Sequence, residues 1–250
     1  MIVLPADQLI TNVTDFQHIL DSAVQVAEKS DAIVTLGIRP DWPCPEYGYI
    51  ERGDPMEISG MKIDHPLTEV KRFREKPGRD TAERFLEEGN FSWNAGIFIW
   101  SIPTLIRELE KQRPDLAEFV HHLKKSRDFS ATVRERFASL EKNSIDYAIL
   151  ENAQQVCNIE ADVGWDDVGG WPSLGKYLDK DGQGNAVRGD VMAKESKDNI
   201  VFNSGVGQKI ALLGVHDLIV VRTEDSILVA DRHQAAKIKV LVEELPDDVR

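Results

Sequence analysis

Near its N-terminus the chain switches between two hydrophobic periods, and that switch constrains the fold more than any other stretch. Ile2, Val3 and Leu4 form an apolar run closed by Pro5-Ala6-Asp7, which predicts a short buried strand followed by a loop carrying an acid. Phe16, Ile19, Leu20, Ala23, Val24 and Ala27 then recur at helical spacing, with Thr14 or Asp15 as N-cap, and predict an amphipathic helix. Ala32 to Ile38 predicts the next strand. Strand, helix and strand at this spacing make a βαβ unit, which implies a parallel sheet and an α/β fold.

The later pattern extends this core. Tyr47-Gly48-Tyr49-Ile50 and Val70 to Phe73 predict two strands, and Ala82, Phe85 and Leu86 mark a short helix stopped by Gly89. Ala95 to Trp100 predicts a buried strand. Helices are expected from Pro103, from Pro114, around Val133, Phe137 and Leu140, and over Ser144 to Leu150. Val156 to Ile159 leads as a strand into Gly164-Trp165-Asp166-Asp167-Val168-Gly169-Gly170-Trp171, a pair of acids between glycines and tryptophans. Glycine permits close backbone approach to a ligand, so this box suits a metal or phosphate site, and equally a tight turn with solvated acids. Near residue 180 the texture turns polar. The short strands beyond it, such as Ile200 to Phe202, Ile210 to Leu213, Leu218 to Val221 and Ile227 to Val229, suggest a small solenoid-like β appendage ending in a helix over Gln234 to Leu245. The expected division is a core over residues 1–180 and an appendage over 185–250.

Apolar residues at 42% are enough for a core, so the chain is not disordered by composition. The formal net charge of −13 argues against a sequence-independent nucleic-acid binder. An anionic ligand would need a divalent metal or a few placed lysines and arginines. Cys44 and Cys157 have no metal-like spacing and read as thiols of a reducing compartment. No apolar run is long enough to span a bilayer, and the start of the chain lacks the basic flank of a signal peptide, so a cytoplasmic location is expected.

Asp7, Glu75 with Lys76, Asn94 and Asp167 fall where strands should end. In an open α/β sheet, ligands bind outside the carboxyl ends of strands, so these positions can converge. Asp7 and Asp167 could share a divalent cation, because magnesium takes one or two carboxylates plus substrate phosphate oxygens. A nearby lysine would neutralise a further phosphate, and Asn94, with donors and acceptors, could read sugar hydroxyls. Each residue taken alone also has an ordinary role: Asp7 in a turn, Glu75-Lys76 as a solvated pair, Trp93-Asn94 in a tight turn. The histidines show no metal spacing, and no Ser, His and acid arrangement for acyl transfer stands out.

Val3-Leu4-Pro5-Ala6-Asp7, Tyr47-Gly48-Tyr49-Ile50, Phe73-Arg74-Glu75-Lys76-Pro77, Trp93-Asn94-Ala95-Gly96-Ile97-Phe98, Ser144-Ile145-Asp146-Tyr147-Ala148 and Gly164 to Gly169 together resemble the bacterial mannose-1-phosphate guanylyltransferases. The resemblance runs through nearly the whole chain. It implies a Rossmann-like nucleotidyltransferase core with a short left-handed β-helix-like region from about residue 185. It also implies formation of GDP-mannose and pyrophosphate from GTP and mannose 1-phosphate. By the same resemblance Asp7 and Asp167 would hold Mg2+, Lys76 would contact the sugar phosphate, and Glu75, Asn94 and the Gly48 backbone would hold the mannose. Asp146 lies in a matching segment without an assigned role. A transferase for another sugar 1-phosphate, and a non-catalytic regulatory or sugar-nucleotide-binding subunit, are the alternatives.

The sequence departs from the family pattern twice. Glu46 stands where the family's loop usually carries a glycine. The family's Gly-rich signature, with its Arg and a downstream Pro-Lys, would precede Asp7 by on the order of a hundred residues, a few βαβ units; here six residues precede Asp7. The expectation is therefore the C-terminal part of such an enzyme, with little or no activity by itself. Its exposed sheet edge should self-associate unless a complementing N-terminal segment covers it.

Overall fold

In the computed structural model, which describes residues 1–246, the amphipathic pattern of the N-terminal region becomes helix α1 (Val13–Ser30). Asn12, slightly earlier than the expected caps, accepts a hydrogen bond from the Asp15 N–H, and Asp31 closes the helix in the left-handed region at φ 55°. The helix buries Ile19, Ala23, Val26 and Ala27 against strands of a six-stranded sheet. Those strands are β1 (Ile2–Val3), β2 (Ile33–Ile38), β3 (Tyr49–Pro55), β4 (Leu67–Arg74), β5 (Phe91–Ile99) and β6 (Val156–Ala161).

The sheet order is β1-β5-β2-β6-β4-β3, with β3 also pairing to β5. The expected parallel sheet is corrected to a mixed one. β2 and β6 pair in parallel, while β5 runs antiparallel to β1, β2 and β3. The crossover through α1 does leave β1 and β2 pointing the same way, but β5 is inserted between them, so the βαβ rule fixed direction and not adjacency. β1 is also not buried. It pairs on one side with β5, through Ile2 to Ile99 and Val3 to Phe98, and Ile2, Val3 and Leu4 are all exposed, because an apolar run says nothing about which position in the sheet a strand will take.

Two apolar clusters flank this sheet. Val34, Leu36, Ile97, Ile99 and Ile159 pack with α1, whereas Ile33, Ile50, Phe98 and Trp100 face α3 (Ile102–Gln112) and α4 (Pro114–Lys125). Alternate residues of one strand thus feed opposite faces, as a sheet covered by helices on both faces requires. A third cluster joins Tyr49, Phe91 and Trp93 to Ala82 and Phe85 of α2 (Arg79–Glu88), which ends at Gly89 with φ 72°. The helix expected around Val133 forms as α5 (Phe129–Arg136), but none of its residues is fully buried, and Phe137 lies in a 3-10 turn, exposed. The segment Asp146–Leu150 is a π-helical turn whose Ala148, Ile149 and Leu150 are buried.

Contacts divide the chain into two compact units, Met1–Trp165 and Asp166–Arg250. In the second, β7 (Ala186–Arg188), β9 (Ile200–Asn203) and β11 (Leu218–Arg222) stack in parallel, with β12 (Ile227–Asp231) antiparallel at the edge. β8 (Val191–Lys194) and β10 (Ile210–Leu213) form a second parallel pair, giving the β-helix-like region expected. Buried asparagines knit its turns. Asn185 Oδ1 accepts from the Asn199 N–H at 3.1 Å, and Asn199 Oδ1 accepts from the Leu218 N–H at 3.0 Å. Ile200, Ile219 and Val221 fill the small core. The expected C-terminal helix is a 3-10 stretch, Arg232–Lys237, continued by α6 (Ile238–Glu244).

Candidate active site

Four of the residues singled out by sequence meet in the first unit. Gly48 enters β3, Glu75 and Lys76 leave β4, and Asn94 sits within β5. β3 pairs with both β4 and β5, and the Gly48 carbonyl accepts a hydrogen bond from the Asn94 N–H at 2.8 Å. A Cβ built on Gly48 would lie 2.6 Å from Glu75 Oε2 and 3.4 Å from the Asn94 Cβ, so only glycine lets the carboxylate settle there.

The sequence around Asn94 bends β5 to aim it. Between the pairs Thr35 with Phe98 and Gly37 with Asn94, two steps along β2 match four along β5, and Gly96 takes φ 68°. Bulges of this kind recur beside functional sites because they redirect a side chain. Asn94 Oδ1 accepts from the Gly96 N–H at 3.1 Å and from the Thr35 hydroxyl at 3.3 Å, while Nδ2 donates to Asp146 Oδ1 at 3.0 Å. Asp146 is the residue to which sequence reasoning assigned no role. Its segment stood out as a motif, but its contact with β5 depends on the π-helical turn, which no hydrophobic period reveals.

The charges are uneven. Glu75 is largely shielded, with a side-chain exposure of 17%, and Lys76 is open at 65% and lies 3.1 Å from it. Only the Glu75 half of the pair is thus shielded, while Lys76 stays in solvent. The hydrogen bond to Glu75, together with the charges of Glu75, Tyr147 and Asp146, raises the Lys76 pKa, so its ammonium stays charged. Lys76 also has φ 45° although Pro77 follows, a combination that side-chain sterics disfavour. Burial, and then the neighbouring Glu75, raise the Asp146 carboxyl above the usual aspartate range.

The loop of Asp7 is tied to the same strand. Gln8 donates from Nε2 to the Ala95 carbonyl at 2.7 Å and accepts from the Trp165 indole N–H at 2.9 Å. Gly164, at φ 60°, comes so close to Thr11 that a Cβ there would be 1.9 Å from its hydroxyl. Tyr47, Trp93 and Trp165 form a wall of edge-on rings, with Tyr47 5.1 Å from Trp93 and 5.4 Å from Trp165. Asp7 itself is exposed.

In the second unit the two acids of the glycine box divide their roles. Asp166 is buried and accepts from the Val168 N–H, Ser173, Lys176 and Tyr177. Burial works to raise its pKa, but those hydrogen bonds together bring it below the ordinary aspartate range. Asp167 is half-buried, its Oδ1 accepting from the Gly169 N–H at 3.2 Å, and Val168 beside it has φ 48°, unusual for a β-branched residue. Sequence could not say which neighbour is the anchor.

No group of three or more His, Cys, Asp or Glu forms a metal cluster among the described residues. Asp7 lies in the first unit and Asp167 in the second, and each is a single carboxylate of the kind magnesium accepts beside phosphate oxygens. Among the described residues no helix is long and apolar enough to cross a membrane.

Comparison with known proteins places these features in a context. The nucleotidyl transferase family matches residues 1–183, and the MannoseP isomerase/GMP-like beta-helix domain matches residues 189–245. A mannose-1-phosphate guanylyltransferase of Escherichia coli is 34% identical over 98% of this chain and 52% of its own length. The mannose-1-phosphate guanylyltransferase ManC of Salmonella typhimurium is 35% identical over 100% of this chain and 52% of its own. The chain thus spans about half the length of the curated relatives it matches. A solved structure, the mannose-1-phosphate geranyltransferase from Thermus thermophilus, superposes with a TM-score of 0.82 at 27% identity, covering 97% of this chain and 68% of that one.

Proposed function

This chain belongs to the nucleotidyl transferase family, and from that premise we propose that it supplies the sugar-phosphate side of a site forming GDP-mannose and pyrophosphate from GTP and mannose 1-phosphate. The observation that carries the reading is the cluster of Gly48, Glu75, Lys76 and Asn94, in which a shielded carboxylate, a carboxamide and one open ammonium come together. A phosphorylated sugar asks for that set: acceptors and a donor for hydroxyls, and a cation for phosphate. The names of the relatives add mannose 1-phosphate as the substrate.

In the proposed reaction a sugar phosphate oxygen attacks the α-phosphorus of GTP. A new P–O bond forms, the bond to the β-phosphate oxygen breaks, and pyrophosphate leaves with the electron pair. Both reactants are anions, so holding them together and neutralising charge supplies most of the catalysis. Glu75 and Asn94 would orient the mannose hydroxyls, and the Lys76 ammonium would offset charge on the sugar phosphate. Asp7 and Asp167 are the proposed carboxylate ligands of a divalent cation, Mg2+, which when bound neutralises phosphate charge. The proposed core and appendage, residues 1–180 and 185–250, are supported by family matches that end and begin on either side of residue 185. A cytoplasmic location is proposed on the buried Cys44 and Cys157, which hold no disulfide.

Calorimetric titration with mannose 1-phosphate and glucose 1-phosphate, followed by assay of GDP-mannose formation with GTP and Mg2+, tests this reading. Preferential binding of mannose 1-phosphate supports the sugar site, and failure to bind any sugar phosphate refutes it. Binding of GDP-mannose without turnover, even when the chain is mixed with a full-length relative, would favour the binding subunit over the transferase.

A further inference from the structure

We propose that Asp146 is a positioning residue: it holds one N–H of the Asn94 carboxamide, whose oxygen is already taken inside the protein, so that Asn94 meets the sugar only as a hydrogen-bond donor of fixed direction. The proposal rests on the sugar-phosphate reading for its ligand, and on geometry alone for the positioning. A backbone N–H can only donate, so the Gly96 N–H at 3.1 Å identifies the facing atom of Asn94 as its oxygen. The Thr35 hydroxyl, wholly buried, takes the other side of that oxygen at 3.3 Å. Both acceptor positions of the carboxamide are thereby used inside the protein. Of its two N–H bonds, one goes to Asp146 Oδ1 at 3.0 Å, and one remains.

What Asn94 offers a ligand is therefore a single N–H of fixed direction. The acceptors of the cluster are the carboxylates of Glu75 and Asp146. A hydroxyl that sits there must accept from Asn94 and donate to a carboxylate, which favours a sugar carrying a free hydroxyl at that point over its deoxy analogue. Asp146 is held for this task by its own element. It heads the π-helical turn Asp146–Leu150, in which the Glu151 N–H reaches the Asp146 carbonyl at 3.0 Å, and Ala148, Ile149 and Leu150 lock the turn into the core beside Phe98 and Trp100. Thr35, Asn94 and Asp146 thus form one directed chain of hydrogen bonds, from a buried strand to the substrate-facing surface.

The test has a ligand-free arm and a binding arm, both on the full 250-residue chain. In nuclear magnetic resonance spectra one of the two Asn94 side-chain N–H protons should be protected from exchange. Asp146→Ala should reduce that protection by tenfold or more, and Asp146→Asn, whose oxygen can still accept, should keep most of it. Equal exchange in wild type and Asp146→Ala overturns the positioning. In the binding arm, Asp146→Ala should weaken mannose 1-phosphate at least tenfold and Asp146→Asn clearly less. For one member of a panel of monodeoxy mannose 1-phosphates the Ala effect should shrink to threefold or less. Equal loss across the panel, or no rescue by Asn, overturns the donor assignment. If wild type binds no sugar phosphate, the substrate reading fails, and the exchange arm still decides the role of Asp146.

Discussion

Replacing Gly48 with Ala separates the role of the cluster in binding from its role in the fold. The new Cβ would lie 2.6 Å from Glu75 Oε2, so the carboxylate must retreat by roughly 0.8 Å to reach an ordinary 3.4 Å contact. The Asn94 Cβ, already at 3.4 Å, need not move, and Gly48 is not among the positive-φ residues, so the backbone accepts alanine. The atom displaced is the end of a flexible side chain, and stability should change by no more than about 0.5 kcal/mol. Binding should suffer much more. A hydrogen bond to a charged group contributes about 1.5–3 kcal/mol, which at about 1.4 kcal/mol per decade is roughly a 10- to 100-fold loss in affinity for mannose 1-phosphate. Calorimetry gives the affinity, and a thermal melt checks the fold. An affinity within twofold of wild type, with the melt unchanged, would refute the argument that Glu75 in this position holds the sugar.

Asp166→Ala should lower the stability of the chain by about 2–3 kcal/mol, since it removes a charged acceptor shared by four donors; a loss under about 0.5 kcal/mol in chemical denaturation would contradict the anchoring role. Because the Asp166 pKa is depressed in the fold, its contribution is present above the unfolded aspartate value of about 3.9 and lost as pH falls through the folded one. In denaturation below pH of about 4 the wild type should therefore converge on Asp166→Ala. Asp146 has the opposite sign. Its raised pKa means that stability present below about pH 4 is lost as pH rises through the folded value, so Asp146→Asn should gain on wild type over that rise, and parallel curves would contradict the assignment. Burial pushes the Cys157 thiol up to about 12, so iodoacetamide near pH of about 8 should leave it unmodified in the native chain and label it after denaturation, as judged by peptide mass; labelling of the folded chain would refute this.

Much of the element order was legible because period and punctuation agree locally. α1, α2 with its Gly89 stop, and β2 each occupy the stretch that spacing marks. What spacing could not supply was the position of each strand in the sheet. Ile2 to Leu4 has the composition of a buried strand, yet β1 lies at an edge, and β5 enters between β1 and β2. The site was legible to the extent that chemistry sat at strand ends. Gly48, Glu75, Lys76 and Asn94 fall together because β3, β4 and β5 are neighbours. Asp146 and Asp166 were not assigned, for different reasons. Asp146 is placed by a π turn, which has no sequence period. Asp166 and Asp167 are adjacent acids, and only the donors around Asp166 show which one the protein keeps for itself.

The most direct test of the sugar-phosphate site is the phosphorus-31 resonance of mannose 1-phosphate titrated with the chain. A saturable shift or broadening that is lost in Lys76→Ala and weakened in Glu75→Gln is the predicted result. A resonance that does not respond to the wild-type chain, or that responds equally to all three proteins, would contradict the account.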